Sequence, residues 1–211
     1  MVNLTPFFRS YALLTDKANL AFKGMQEEYG ACIKCDRHCS DCCHAVFGLF
    51  LMESAYIKQH FDQLGNEEKK AALLRCSETD RGLKRMERML KEFEDDPGMQ
   101  THIMAKEKIR CPLLSNDQDC ILYPYRPITC RIYGVPTKIQ GKARVCGKAG
   151  FKENDSYPVF DLDGIFRDLY ILSQDLLNSL ENGNPAKASL LISVSKAIST
   201  PIDELIHETF G

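Results

Sequence analysis

Nine of the ten cysteines of this 211-residue chain lie in two short bursts. The first burst comprises Cys32, Cys35, Cys39, Cys42 and Cys43, and the second comprises Cys111, Cys120, Cys130 and Cys146. Thiolates bind zinc tetrahedrally, or iron within a sulfide cluster, usually four to a site. Cys-x-x-Cys spacing, present twice in the first burst, lets a tight turn aim two sulfurs at one point. The bursts therefore predict a metal centre that joins distant segments of the chain.

Disulfides are the main alternative use of these thiols. The first 20 residues show no basic region followed by an apolar run, so they do not resemble a secretory signal. The most apolar stretch, 45–52, is too short to span a bilayer. A formal net charge of −2 gives no case for nucleic-acid or membrane binding. We therefore expect a soluble cytoplasmic protein, where metal binding is favoured over disulfides or a redox dithiol.

The adjacent pair Cys42-Cys43 bears on the number of metal sites. Neighbouring side chains point in different directions on a helix or a strand, so one small metal ion is not easily ligated by both. The pair indicates a spare thiol, two neighbouring sites or a multinuclear cluster. Spacing alone leaves all three open.

Other residues are weaker candidates for ligands. His38 and His44 flank the first burst, and each could replace a cysteine. Cys76 lies in a helical pattern at a core position, where a buried apolar role is expected.

Four segments carry a family resemblance. They are CSDCC at 39–43, CPLL at 111–114, CILY at 120–123 and RPITCR at 126–131. They resemble the YkgJ-like cysteine cluster proteins, the CxxCxxCC family of zinc- or iron-chelating domains. Glu53 matches the glutamate-containing helix that follows the cysteine run in that family. The resemblance covers about residues 32–147, and this chain departs from the pattern by three residues between Cys35 and Cys39 and by the extra Cys32.

The resemblance implies chelation of zinc or iron, including a four-iron, four-sulfur cluster. Relatives of the family include flagellin lysine methylases with a similar cysteine domain. No methyl-donor site is visible in this sequence, so that activity is not carried over. The resemblance also sets Arg126 and Arg131 beside Cys130, and we predict that both arginines contact the bound group.

A basic stretch surrounds the second burst. Residues 126–152 contain no acidic residue and seven basic ones, namely Arg126, Arg131, Lys138, Lys142, Arg144, Lys148 and Lys152. Four thiolates on one zinc leave a net charge of about −2, which nearby cations stabilise. Docking of an anionic ligand or an acidic protein is an alternative role for these cations. The third possibility is a solvent-exposed surface without a binding role.

Three functions follow from these observations. The leading hypothesis is a cytoplasmic metal-binding protein with one centre or two adjacent centres. An iron–sulfur-dependent enzyme or electron-transfer protein is the second. The third is an interaction module in which zinc is a structural brace and the helices or the basic stretch bind a partner.

The elements that position these residues are predicted to be mainly α-helical, with a small cysteine-rich centre that contains β-hairpins (α+β, helix dominated). The predicted helices span 8–29, 51–63, 66–93 with a candidate break at 79–82, 161–181, 185–199 and 201–209. Hairpins are predicted over 111–123 and around 139–142, and a single helical turn after Pro127 carries Cys130. Asn66 is a candidate helix cap, and Pro97-Gly98 is a stop signal. We expect one domain, 1–211, with a metal-binding core at about 30–150 and a helical segment, 158–210, packed on it.

Overall fold

Helices form most of this protein. The computed structural model describes residues 3–36, 38–181 and 183–207. Its α-helices are α1 (Thr5–Tyr29), α2 (Leu51–Asp62), α3 (Asn66–Glu92), α4 (Pro97–Lys106), α5 (Ile128–Arg131), α6 (Leu162–Asn178), α7 (Val194–Ser199) and α8 (Ile202–His207). Short 3₁₀ helices span Asp41–His44, Tyr123–Tyr125 and Pro185–Ser189. With 58% helix and 6% strand, the predicted fold class is confirmed.

The long helices α1 and α3 follow the spacing of apolar side chains. Tyr11, Ala18 and Met25 of α1 recur every seven residues and are buried, which gives the helix one core face. Helix α3 is continuous, so the candidate break at 79–82 is wrong. Gly82 allows α3 to lie close to Ile109, because a Cβ there would come within 3.0 Å of the Ile109 side chain. Packing therefore accounts for a glycine inside this helix.

The ends of α3 and the start of α4 differ from the sequence-based prediction. Gly65, and not Asn66, is the N-cap of α3, and the Glu68 carboxylate accepts its N–H at 3.3 Å. Pro97 was predicted to stop a helix, yet it begins α4. The Asp96 side chain caps this helix by accepting the Met99 N–H at 2.9 Å, and proline is favourable at the first helical position.

The predicted hairpin over 111–123 is present in reduced form, as a five-residue turn without extended strands. This segment forms one isolated antiparallel bridge, between Leu114 and Cys120. The guanidinium of Arg110 donates to the carbonyls of Leu114 at 3.1 Å and Ser115 at 3.0 Å. Two backbone hydrogen bonds flank the bridge, from Ser115 N–H to the Asp119 carbonyl at 2.8 Å and from Ile121 N–H to the Leu113 carbonyl at 3.0 Å.

The second predicted hairpin is confirmed. Strands β1 (Thr137–Ile139) and β2 (Lys142–Arg144) pair antiparallel, and β3 (Phe160–Asp161) adds parallel to β1. The turn residues Gln140 and Gly141 have φ values of 52° and 72°, a region that favours glycine. The Asp163 carboxylate of α6 accepts both of their N–H groups, at 2.8 and 2.9 Å, and so fixes the hairpin to that helix.

The C-terminal third is helical with one interruption. The prediction for 161–181 is confirmed by α6. The prediction of one helix over 185–199 is wrong, because Ile192 exchanges two 2.8 Å backbone hydrogen bonds with Leu49 and holds the chain extended. The Ser193 hydroxyl then caps α7 by accepting the Lys196 N–H. Helix α8 confirms the last prediction up to His207, and residues 208–209 lie outside the described part of the chain.

The apolar core is shared by the helices and the cysteine-rich segment. Helix α2 lies against α1, α6, α7 and α8. Leu122, Ile128 and Ile132, which surround the second burst, are fully buried in the same cluster of side chains. The core therefore holds the cysteine loops against α2. Across the described residues, we find no helix with the length and apolar character needed to cross a membrane.

Candidate metal centre

Backbone hydrogen bonds bring the two bursts together. The N–H of Cys111 donates to the carbonyl of Cys43 at 2.7 Å. The N–H of Gly150, four residues after Cys146, donates to the carbonyl of Cys32 at 2.7 Å. Both ends of the second burst are thus attached to the first, although about 70 residues separate them along the chain.

The thiols of both bursts surround one cavity. It has a volume of about 570 Å³. Seven thiols line it, those of Cys35, Cys39, Cys42, Cys43, Cys120, Cys130 and Cys146. A smaller cavity of about 60 Å³ adjoins the same wall and is lined by Cys42, Cys43, Cys111, Cys120 and Cys130. Of the nine predicted ligands, the described residues place only Cys32 beside neither cavity.

The thiol side chains that line the cavities do not converge on one metal position. Among the described residues, no group of three or more His, Cys, Asp or Glu side chains is positioned to hold a metal ion. Several thiols instead contact one another or a carboxylate. Cys76, in contrast, is buried in α3, where its thiol faces the carbonyl oxygens of Ala72 and Ser195 at 3.6 and 3.9 Å. Its place in the core matches the apolar role expected for it.

Cys42 is the most acidic thiol of the group. Hydrogen bonding from the thiols of Cys130 and Cys43 toward its sulfur outweighs burial and lowers the pKa of Cys42. The positive charge of Arg126 acts in the same direction. The same hydrogen bonds, together with burial, raise the pKa of Cys43 and Cys130 well above the usual value for a thiol. The adjacent cysteines therefore differ in acidity, with the pKa of Cys42 lowered and that of Cys43 raised.

Three further thiols, those of Cys35, Cys111 and Cys120, resist ionisation. Burial raises the pKa of Cys35 to about 11, of Cys111 to about 12 and of Cys120 to about 11. Nearby thiols add to each shift, because a second negative charge at short range is unfavourable. Several thiolates can coexist here only if a cation neutralises them.

Arg126 borders both cavities. Its guanidinium lies 3.8 Å from the centre of the Tyr123 ring, a cation–π contact that fixes the side chain. Its Nε is buried and has no hydrogen-bond partner among the described residues. A buried donor without an acceptor is unfavourable by about 1–3 kcal/mol. The predicted place of Arg126 beside the thiols matches this geometry.

Arg131 uses its donors to hold the loop. Its Nε donates to the carbonyl of Arg126 at 2.9 Å, and its two terminal nitrogens donate to the Pro124 carbonyl at 2.6 Å and to Asn19 Oδ1 at 3.1 Å. The residue is 9% exposed. Arg131 therefore connects the 124–126 turn and α5 to helix α1, and it fixes Arg126 through the backbone.

Replacing Arg131 with lysine is expected to lower the free energy of unfolding by about 3 kcal/mol. One ammonium group cannot reach three acceptors on separate segments, and buried carbonyls lose their donors. Urea unfolding measures the change. Arg88→Lys is the matched control, because Arg88 is exposed and donates to one carbonyl of its own helix. Equal losses in the two variants would contradict the bracing role.

Glu53 supports the turn that carries Cys130. This α2 residue is 2% exposed, and its Oε1 accepts the Tyr11 hydroxyl at 3.3 Å and the Ile128 N–H at 3.2 Å. Ile128 is the first residue of α5, the turn that carries Cys130. Burial raises the pKa of Glu53 to about 7. A buried carboxyl group thus holds the start of the turn that presents a cavity thiol.

Asp41 is a residue of the cavity that the sequence analysis missed. Its Oδ2 accepts the Cys146 thiol at 3.3 Å, and its Oδ1 lies 3.6 Å from the ammonium groups of both Lys108 and Lys148. Burial alone would raise the pKa of Asp41, but the thiol and the two lysines hold it below the usual value. The only signal for Asp41 in the sequence is its position inside the first burst.

The histidines and the basic stretch have varied surroundings. His38 lines the larger cavity, and its Nδ1 lies 3.2 Å from the Asp117 carbonyl oxygen. The His44 Nδ1 lies 2.9 Å from the Ser40 carbonyl oxygen. Lys138 pairs with Asp161 on the sheet at 2.8 Å. Of the seven basic residues of this stretch, three line the larger cavity (Arg126, Arg131 and Lys148), three lie on β1 and β2 (Lys138, Lys142 and Arg144), and Lys152 lies in neither place.

Comparisons with known proteins add no relative. No family model matches this chain, and no curated protein and no solved structure is significantly similar to it. The resemblance to the CxxCxxCC proteins therefore stays a prediction that depends on the motif residues alone.

Proposed function

We propose that this chain binds zinc or iron through the thiols of its two cysteine bursts. The observation that carries the proposal is the cavity of about 570 Å³ that seven of these thiols line together. Soft thiolate ligands select zinc, Cu(I) and iron–sulfur clusters over hard cations. Segments far apart in sequence have no other evident reason to gather so many half-buried thiols.

The unpaired Nε of Arg126 supports the same function. It is a buried donor on the wall of the cavity, next to Cys42. A centre of several thiolates and one metal keeps negative charge, and such a charge is stabilised by a nearby cation with a free donor. The chemistry of the donor set therefore fits zinc or an iron–sulfur cluster. When bound, zinc would supply a fixed brace, and a cluster would supply one-electron transfer.

The size of the cavity favours a second candidate, an iron–sulfur enzyme or electron-transfer protein. One ion with four sulfurs fills only a small part of about 570 Å³. A multinuclear cluster uses more of the volume and more of the seven thiols. The adjacent pair Cys42-Cys43 could then serve different metal atoms.

Metal analysis of protein purified without oxygen tests both candidates. We expect zinc or iron in at least stoichiometric amount. Iron with a matching amount of acid-labile sulfide and visible absorbance supports the cluster, and zinc without sulfide supports a zinc protein. Protein that holds neither metal, before or after anaerobic reconstitution, contradicts the proposed function.

A further inference from the structure

The cavity thiols fall into two groups by position. The inner group lines the smaller cavity and consists of Cys42, Cys43, Cys111, Cys120 and Cys130. The outer group lines the larger cavity alone and consists of Cys35, Cys39 and Cys146. The inner group has five thiols, one more than a four-thiolate site needs. The outer group has three, one fewer than such a site needs.

The two groups are neighbours that line different walls. The inner thiols share the smaller cavity, which none of the outer thiols lines. Among the outer thiols, Cys35 and Cys146 each lie within electrostatic reach of Cys39. The outer thiols therefore have one another as neighbours in the larger cavity.

Cys35 and Cys146 of the outer group are held by contacts of their own, although Asp41 directly precedes Cys42 in the chain. Cys35 packs on Gly134, where any Cβ would overlap its sulfur, so glycine is required for the thiol to lie here. Cys146 follows strand β2 and hydrogen-bonds to Asp41. Removal of an outer thiol does not remove the backbone hydrogen bond between Cys111 and Cys43, which supports the inner group.

Asp41 completes the outer group as a fourth donor. Its carboxylate is 17% exposed, with Oδ2 directed at the Cys146 thiol. Its Oδ1 faces Lys108 and Lys148, which orient the carboxylate. Three thiolates and one carboxylate around Zn²⁺ leave a net charge of about −2. The two lysines supply the matching positive charge.

We propose that the two groups bind metal separately, and that the outer group binds a zinc ion of its own through Cys35, Cys39, Cys146 and Asp41. This inference rests on the proposed function, whose centre the inner group holds. The outer side chains are not preassembled, so the thiols turn toward the ion and release their protons to solvent as it binds. Sulfur and carboxylate oxygen are both ordinary zinc ligands.

Two variants of the full chain test the second centre after anaerobic purification and loading with zinc. The double variant Cys39→Ala/Cys146→Ala is expected to lose one zinc per chain and to keep the metal, sulfide and absorbance of the inner centre. Asp41→Asn is expected to weaken the outer zinc about 10–100-fold in competition with a chromophoric chelator. Asp62→Asn is the matched control, because Asp62 is also paired with a lysine but lies on α2. It should bind zinc as the wild type does.

The outcomes separate this inference from the proposed function. A double variant that keeps all its zinc, or that loses the inner metal together with the outer zinc, overturns the two-centre arrangement while metal binding itself stands. A wild-type protein that takes up no metal overturns both. Far-UV circular dichroism and the inner metal content show whether Asp41→Asn is folded. If Asp41→Asn is unfolded, the zinc content of the double variant decides whether the outer centre exists.

Discussion

Replacing Cys120 with alanine is expected to remove the metal bound by the inner group and to lower Tm by about 8 to 16 °C. Cys120 lines both cavities, and the bridge to Leu114 fixes its backbone. Metal that binds only the folded chain contributes about 4 kcal/mol when it is present at about a thousand times its dissociation constant. For a chain of this size, 1 kcal/mol corresponds to about 2–4 °C in Tm. Elemental analysis and a thermal melt of the anaerobic protein measure both effects.

Cys76→Ala provides the matched control for Cys120→Ala. The change of side chain is the same, but Cys76 lies in α3 with its thiol directed at backbone carbonyls. The Cys76→Ala variant should keep the metal content of the wild type. Its Tm should fall only by the amount that follows from removing one buried sulfur from the core. A chelator should lower the Tm of the wild type by more than it lowers the Tm of Cys120→Ala, because the variant has already lost the inner metal and keeps only the outer zinc. If Cys120→Ala retained the inner metal, Cys120 would be no ligand and the assignment of the inner group would be wrong.

Local sequence patterns predicted the parts of the fold that depend on local physics. Helix α1 follows from apolar residues at helical spacing, and the β1–β2 hairpin follows from a turn in which Gly141 adopts positive φ. The interrupted segment after Pro185 could not be predicted in this way. Its break depends on the pairing of Ile192 with Leu49, which are 143 residues apart and whose contact no local pattern encodes.

The residues of the candidate site could be chosen by type, but their arrangement could not be predicted. Thiols are identified by residue type, and eight of the nine cysteines predicted as ligands line the cavities. Cys32 lines neither cavity, and its backbone carbonyl accepts the Gly150 N–H. Asp41 has no distinctive spacing, and its role appears only when Cys146 is brought beside it from 105 residues away. The grouping of thiols likewise depends on contacts between segments.

Replacing Glu53 with glutamine is expected to remove a large pH dependence of stability. The pKa of this buried carboxyl group is about 7 in the folded protein, against an ordinary value of 4.5. Because the folded state holds the proton more tightly, the stabilisation is complete below about pH 4.5 and is lost as the pH rises through about 7. Between pH 5 and pH 8 the free energy of unfolding of the wild type should therefore fall by roughly 2 to 3 kcal/mol from this group. Glutamine keeps an oxygen acceptor for Tyr11 and Ile128 and carries no charge.

Urea unfolding of the metal-loaded protein at pH 5, 6, 7 and 8, without oxygen, measures the effect. The difference between wild type and Glu53→Gln is the informative quantity, because pH-dependent metal binding contributes to both proteins and cancels. That difference should shift in favour of the variant by roughly 2 to 3 kcal/mol across the range. Glu67→Gln, an exposed glutamate at the start of α3, controls for the amide substitution and should follow the wild type. A constant difference between Glu53→Gln and wild type would mean that Glu53 stays ionised in its buried position, with the hydrogen bonds from Tyr11 and Ile128 outweighing the cost of burial.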